Sequence, residues 1–427
     1  MVPDRVRERA LRLADALPAY VYDMSALDRH ASAVRRALPG VEMYYAVKAN
    51  PDPALLRALA PYADGYEVSS IGEVAHVRSV LPDARLALGG PGKTDAELAL
   101  DVHRVHVESP GELRRLIAAG RPRGGRLIDA ARPPGDRLID AGRPVDALLR
   151  VNLDVPVEGA SLTMGGGATP FGMDPDGISE CLELLRGQNR VRLRGVHAHL
   201  ASGLQASELL DLAKAVLSFG RELEAAEINL GGGMAVSYTD PEERFDWEAY
   251  GQDLAGLRRP GETLRVEPGR ALTAYCGWYL TRVLDVKRVH GEVFAVVTGG
   301  THHLRTPVAK CHDQPFAVLP TGRPSRPSHP GHPGHPGHPG CTSPGVIPGT
   351  PVSGGRQGTS PLPRGVTDEL VTIVGQLCTP KDVFARRVLT SVNVGDIVAF
   401  GMAGAYAWTI SHHDFLMHPK PGFHYLT

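Results

Sequence analysis

The sequence predicts an α/β protein: a (β/α)8 TIM-like barrel followed by a C-terminal antiparallel β domain. Between Val41 and Glu267, short apolar runs alternate with helical patterns eight times. Eight such alternations favour a closed barrel over an open sheet. After Arg270 the rhythm stops. Residues 276–299 and 369–410 are rich in Val, Thr, Tyr and Gly and alternate without a long helical run, as antiparallel strands do. The 427 residues also exceed what one ordinary core accommodates, which points to two domains.

In chain order, residues 5–17 read as a helix and 20–23 as a strand that packs with the β domain. Ser25 is the candidate cap of a helix running to about Leu38. The barrel strands are expected at 41–48, 64–68, 85–89, 104–107, 147–152, 193–199, 226–230 and 263–267, with helical patterns at 54–59, 70–80, 94–100 and 206–224. This gives an N-terminal segment over 1–24, a barrel over 25–272 and a β domain over 273–427. Two stretches interrupt them. Residues 120–144 hold the near-repeat GGRLIDAARP and GDRLIDAGRP, and 320–365 hold His-Pro-Gly units within a Pro/Gly/Ser-rich tract. Such composition buries no core, so both read as disordered surface insertions. The His-Pro-Gly histidines have no fixed ligand geometry, so no metal site is expected.

Charge and composition exclude several classes. Lys and Arg total 46 against 47 Asp and Glu, which leaves no basic field for nucleic acid. No apolar run approaches the roughly 20 residues of a membrane helix. Residues 1–12 lack the apolar core of a secretion signal. Cys181, Cys276, Cys311, Cys341 and Cys378 are scattered without CxxC spacing. Neither a disulfide framework nor a zinc site is expected, and a cytoplasmic setting follows.

The chemistry lies in what ends each strand. Lys48 ends the first, Glu67 and Ser69 the second, Gly89-Gly90 the third, Glu108 the fourth, Asn152 the fifth and His199 the sixth. Gly231-Gly232-Gly233 end the seventh and Glu267-Pro268-Gly269-Arg270 the eighth. In a barrel these ends converge on one mouth. A lone strand-end lysine is usually just solvated, a glycine run is often a simple turn, and a strand-end histidine is often structural. Together the set suits pyridoxal 5′-phosphate. Its Schiff base needs an amine, its phosphate a cradle and its pyridinium a carboxylate.

YYAVKAN, VHAHLASG, INLGGG, VEPGR and GQLCTPKD, in that order, resemble motifs of the fold-type III pyridoxal-phosphate decarboxylases. These are the ornithine, diaminopimelate and related amino-acid decarboxylases, with an alanine-racemase-like barrel. The resemblance spans about 20–421, insertions excepted. It implies that Lys48 carries the cofactor, His199 stacks on its ring and Glu267 meets the pyridine nitrogen. Ser202, Gly231, Gly232, Gly233, Arg270 and Tyr406 would hold the phosphate, with Glu67 and Gly269 completing the set. Cys378 would reach the active site of the other subunit of a homodimer with shared sites, and either Cys378 or Lys48 would return the proton to Cα.

Departures from the commoner members bear on the substrate. The residue after Cys378 is the neutral Thr379, with Asp382 three further on. His302, His303 and Arg305 occur in one stretch and His412 and His413 in another, both similar to the branch used in siderophore and related specialised pathways. These residues are the candidate grip on an amino-acid substrate with a polar or acidic distal end, and the histidines suggest a preference that strengthens as pH falls toward 6. Diaminopimelate decarboxylation is the alternative. A racemase is disfavoured by the cysteine in the GQLC context, and a non-catalytic homologue by the presence of both Lys48 and Cys378.

Overall fold

The computed structural model describes residues 1–119, 143–156, 160–305, 307, 312–322 and 365–427. Most of the two expected insertions, 120–142 and 323–364, lies outside these residues. The chain opens with a helix over Asp4–Arg12 and strand β1 (Ala19–Asp23), followed by a helix over Met24–Ala37. The cap of that helix is Asp23 rather than Ser25: its carboxylate accepts the Ala26 N–H at 3.0 Å, because Asp23 holds the extended backbone from which a side chain reaches the first turn.

Eight parallel strands then close into a barrel. They are β2 (Val41–Ala46), β3 (Gly65–Val68), β4 (Leu86–Leu88), β5 (Arg104–Val107), β6 (Val145–Arg150), β8 (Val191–His197), β10 (Glu227–Asn229) and β11 (Thr263–Val266), and β11 pairs back onto β2. Two short strands, β7 (Leu162–Thr163) and β9 (Ala201–Ser202), form a separate antiparallel ribbon. All eight expected barrel strands are present, five of them one or two residues shorter, and β6 and β8 each two residues earlier in the chain.

The amino end of the barrel is closed by charge. Arg104 Nε donates to Glu227 at 2.7 Å, Arg265 Nε to Glu42 at 2.9 Å, and the Arg265 guanidinium lies 4.5 Å from the Tyr44 ring centre. Burial would raise the Glu227 pKa, but Arg104 and Arg194 outweigh it and hold it down at about 2. Paired this way, charges fill a barrel floor that apolar side chains fill elsewhere.

The second body is one eight-stranded sheet. It contains β12 (Gly277–Val289), β13 (Glu292–Val297), β14 (Phe316–Leu319), β15 (Gly365–Val374), β16 (Val383–Asn393), β17 (Ile397–Phe400) and β18 (Gly422–Leu426), joined by β1 from the amino terminus. The long β12 serves three neighbours, pairing with β1 and β17 along its first half and β13 along its second. Most pairs are antiparallel. The pairs β1–β18 and β13–β15 are parallel, a departure from the antiparallel expectation that arises because their connections cross over instead of turning back.

Candidate active site

Strand β2 ends at Ala46, and Lys48 occupies the single 3-10 turn Val47–Ala49. The strand expected over 41–48 therefore stops two residues early, and Lys48 lies just beyond it. The turn is held from outside. The Ala49 carbonyl accepts the Tyr406 N–H at 2.8 Å, and Asn50 Nδ2 donates to the Gly404 carbonyl at 2.9 Å. Lys48 Nζ donates to Glu67 Oε2 at 2.6 Å, while Ser69 Oγ donates to Glu67 Oε1 at 3.1 Å. Burial opposes the charge on Lys48, but Glu67 and then Tyr406 outweigh it, and its pKa is raised. The resting amine is thus a protonated, tethered ammonium.

Across the cavity, Gly231 and Gly233 have φ of 67° and 112°. A Cβ on Gly231 would lie 2.5 Å from the Ala198 carbonyl oxygen, and one on Gly233 would lie 2.4 Å from that of Ala201. Only glycine fits such a path. The amides are used differently from the expectation of a purely anion-facing cradle. Gly231 N–H donates to Asn229 Oδ1 at 3.0 Å, and Gly232 N–H to His199 Nδ1 at 3.1 Å. The latter bond fixes the imidazole plane. Burial, then Lys48, lowers the His199 pKa to about 3, so the ring is neutral. Arg270 Nη1 donates to the Tyr238 hydroxyl at 2.8 Å, and its guanidinium lies 4.4 Å from the Tyr406 ring centre. Gly269 packs against the lysine turn, where a Cβ would come within 3.0 Å of Ala49 Cβ.

Lys48, Glu67, His199, Glu267, Arg270 and Tyr406 line one cavity of about 890 Å³, together with Ser202, Gly232, Gly233 and Gly269. Gly231 lies just behind the wall. The structure thus brings together the residues expected at the mouth, apart from Glu108 and Asn152, which support it. Glu108 accepts from Arg150 Nη1 at 2.9 Å and from the Gly90 N–H at 2.8 Å, while Asn152 anchors the loop at Gly166 and Gly167.

Sequence reasoning missed Arg150, Asn229 and His197. Arg150 lines the cavity; its signal was a cation inside the apolar run ALLRV. Asn229 Nδ2 donates to Glu267 Oε1 at 2.7 Å, and His197 Nε2 lies 3.1 Å from Glu267 Oε2. His197 was legible as the partner of His199 at strand period two. His106, His197 and Glu267 place donor atoms within 4.8 Å of one another. The two imidazoles stack at 4.1 Å within 16° of parallel, so their lone pairs do not converge on one point as tetrahedral ligation needs.

The residues expected around the substrate lie elsewhere in this chain. Cys378 is exposed and is absent from the wall of the Lys48 cavity. Asp382 is buried and accepts the Thr301 and Leu377 N–H groups at 2.6 and 2.8 Å. It ties the loop bearing Cys378 to the loop bearing His302, which is an anchoring arrangement. Arg305 is exposed, and its N–H donates to Ser411 Oγ at 3.0 Å.

His302 and His303 require a correction. Both are buried, and burial lowers their pKa to about 4 and about 3. They carry no charge at pH 6, so they cannot supply the expected strengthening toward that pH. They bear on stability instead. An unfolded histidine takes up a proton below about 6.5, whereas His106, His197, His302 and His303 stay neutral in the fold, all with lowered pKa from burial. Their contribution is complete above pH 6.5. It falls by about 1.4 kcal/mol per pH unit for each group below that. The melting temperature of the protein should therefore drop steeply between pH 6.5 and 4; a flat profile there would refute the burial of these rings.

Residues 24–274 match the sequence profile described as "Pyridoxal-dependent decarboxylase, pyridoxal binding domain". The chain belongs to this family. The decarboxylase is 36% identical over 425 residues to the 2-[(L-alanin-3-ylcarbamoyl)methyl]-2-hydroxybutanedioate decarboxylase of Staphylococcus aureus, covering 96% of this chain and 94% of the relative. It is 26% identical to a diaminopimelate decarboxylase of Bacteroides thetaiotaomicron, covering 91% of this chain and 90% of that protein. In fold it resembles the diaminopimelate decarboxylase of Helicobacter pylori complexed with L-lysine, with a TM-score of 0.75 at 21% identity over 96% of this chain and 92% of that one. The lysine/ornithine decarboxylase of Vibrio vulnificus complexed with putrescine matches with a TM-score of 0.72 at 16% identity, over 100% and 99% of the two chains.

The protein is thus a pyridoxal-phosphate-dependent amino-acid decarboxylase, a carboxy-lyase whose cofactor is pyridoxal 5′-phosphate. The cavity fits that group: an amine at one end, a wall that admits only glycine, and a buried carboxylate already held by two side chains. Among the described residues, no helix is long and apolar enough to cross a membrane.

Proposed function

We propose that the enzyme decarboxylates an amino acid whose distal end carries carboxylate or amide groups, in siderophore or related specialised metabolism, and that it does so as a cytoplasmic homodimer with shared active sites. The observation that carries the site is the convergence of Lys48 and Glu267 on one cavity. When bound, pyridoxal 5′-phosphate supplies an electron sink for the charge left at Cα as the carboxylate departs.

The chain's own residues do the rest. Lys48 would hold the cofactor through its amine, and Glu67, which binds that amine in the resting site at 2.6 Å, would hold it whenever it is free. Glu267 would face the pyridine nitrogen of the bound cofactor. The neutral His199, locked by Gly232, would lie against the ring without adding charge. Arg270, Ser202, Tyr406 and Gly233 of the glycine turn would bind the phosphate; the stacking of Tyr406 on Arg270 keeps the guanidinium aimed. A proton returns to Cα from Cys378 of the partner subunit or from Lys48. The trans assignment is supported by Cys378 being solvent-exposed and absent from the wall of its own chain's cavity. The free thiols Cys181, Cys276 and Cys378 suit a reducing compartment.

The substrate reading rests on the Staphylococcus aureus relative, whose name describes an alanyl group joined through an amide to a hydroxybutanedioate. Such a molecule keeps two distal carboxylates after the α-carboxylate leaves. Arg305, exposed on the β-domain loop, is the cation available to grip them with two parallel hydrogen bonds. Diaminopimelate is the second reading, favoured by the Bacteroides thetaiotaomicron relative.

The test is kcat/KM for ornithine, lysine, arginine, meso-diaminopimelate and citryl-linked diamino acids, with wild type and Arg305→Ala. A citryl-linked substrate should be preferred, and Arg305→Ala should cost it about 1–3 kcal/mol, roughly five- to 150-fold. With His302 and His303 neutral throughout, the preference should not grow between pH 7.5 and 6 on their account. A clear preference for ornithine or lysine, insensitive to Arg305, would reject the assignment.

A further inference from the structure

Both carboxylate oxygens of Glu267 are engaged before any ligand arrives. Oε1 accepts from Asn229 Nδ2 at 2.7 Å, and Oε2 faces His197 Nε2 at 3.1 Å. All three side chains are buried. His197 ends β8, two residues before His199, and faces the carboxylate instead of lining the cavity. His106, reaching in from β5, stacks on His197 at 4.1 Å and within 16° of parallel. The stack fixes the plane of the His197 ring and hence the direction of its Nε2.

The tautomer follows from electrostatics. Burial, reinforced by Arg150, Lys48, Lys93 and Arg265, keeps the His197 imidazole neutral. A neutral imidazole has one N–H. A bare nitrogen 3.1 Å from an ionised carboxylate would set two acceptors against each other, so Nε2 carries the hydrogen. Nδ1 is then a bare acceptor, and it has no hydrogen-bond partner among the described residues. Burying an unpaired acceptor is unfavourable, and an apolar side chain would fill the same space without that cost. The polar ring is thus explained by what its other nitrogen does.

We infer that His197 is a positioning residue: with Asn229 it keeps Glu267 ionised and aimed at the pyridine nitrogen of the cofactor, and His106 locks its orientation. The inference rests on the reading of Glu267 given above. Two donated hydrogen bonds, one to each oxygen, favour the carboxylate form. An ionised Glu267 keeps the pyridine nitrogen protonated, which is the form that draws electrons from Cα.

The test uses full-length apoprotein reconstituted with pyridoxal 5′-phosphate isotope-labelled at the pyridine nitrogen, whose NMR shift distinguishes protonated from bare pyridine. Cofactor Kd is measured in parallel by fluorescence titration, and circular dichroism checks that each apoprotein is folded. Wild type and His197→Gln, whose amide reaches where Nε2 sits, should show the protonated signal. His197→Leu should move it toward bare pyridine and weaken cofactor binding about tenfold. If His197→Leu does not fold, His197→Asn replaces it, since its amide stops short of Glu267. A signal unmoved in the Leu or Asn variant, or Gln behaving like them, overturns the role of His197. Glu267→Gln separates the two assignments. If it shifts the signal and His197→Leu does not, only His197 falls; if it leaves the signal unmoved, the Glu267 reading falls and this inference with it.

Discussion

Lys48→Ala protein should retain its fold and lose decarboxylation by at least about three orders of magnitude, the range spanned by covalent anchoring and acid–base work together. Borohydride reduction of the wild type should fix the cofactor on a peptide containing Lys48 and on no other. The expectation is quantitative because the amine has no understudy at its end of the cavity. Lys93 also lines the wall, but its Nζ donates to the Gly90 and His106 carbonyls at 2.7 and 2.6 Å and to Glu112 at 2.8 Å, so all three of its protons are committed. Finding the reduced cofactor on Lys93 would overturn the assignment. Folding should be little affected, because nearly half of the Lys48 side chain is exposed to the cavity.

The second large effect is restoration. Cys378→Ala alone should cost about two orders of magnitude or more, as loss of a general acid does. Mixing Lys48→Ala and Cys378→Ala subunits under conditions of exchange should then recover activity in the mixed dimers, one of whose two sites is intact. The physical ground is that exposed Cys378 does not line its own chain's cavity. Asp382 supports the same loop through the Leu377 N–H, so Asp382→Ala should impair the cysteine without touching the cofactor spectrum. No recovery on subunit exchange, with exchange verified by mass, would place the cysteine in cis or outside the chemistry.

Barrel strands were legible because each is a short apolar run between helical patterns, and the strand-end residues because a barrel sends them to one place. Lys48, His199, Glu267 and Arg270 were found that way. The sequence was silent where a side chain's partner comes from another strand. Asn229 and His197 acquire meaning only once β8, β10 and β11 lie side by side beneath Glu267. The histidines after Thr301 misled for the opposite reason. A His-His pair in a glycine-rich stretch looks exposed, yet His302 and His303 lie in the core, where His303 Nδ1 hydrogen-bonds Tyr279 at 2.9 Å and Nε2 the Pro419 carbonyl at 3.1 Å. Burial is a tertiary fact, and it changed a cation into a packing element. The β1–β18 pairing joins residues some four hundred positions apart, beyond the reach of any local pattern.

The lysine turn is gripped by the β domain: Tyr406 N–H on the Ala49 carbonyl, Asn50 on the Gly404 carbonyl, and a glycine at 277 whose Cβ would come within 2.3 Å of the Gly404 nitrogen. This sets a limit on how such a protein can be rearranged by evolution. A gene fragment carrying the barrel alone would inherit every strand and most of the pocket, yet leave the segment bearing the reactive amine without its outer support. Parting the two bodies should therefore lose the activity at once, even where every barrel strand is kept.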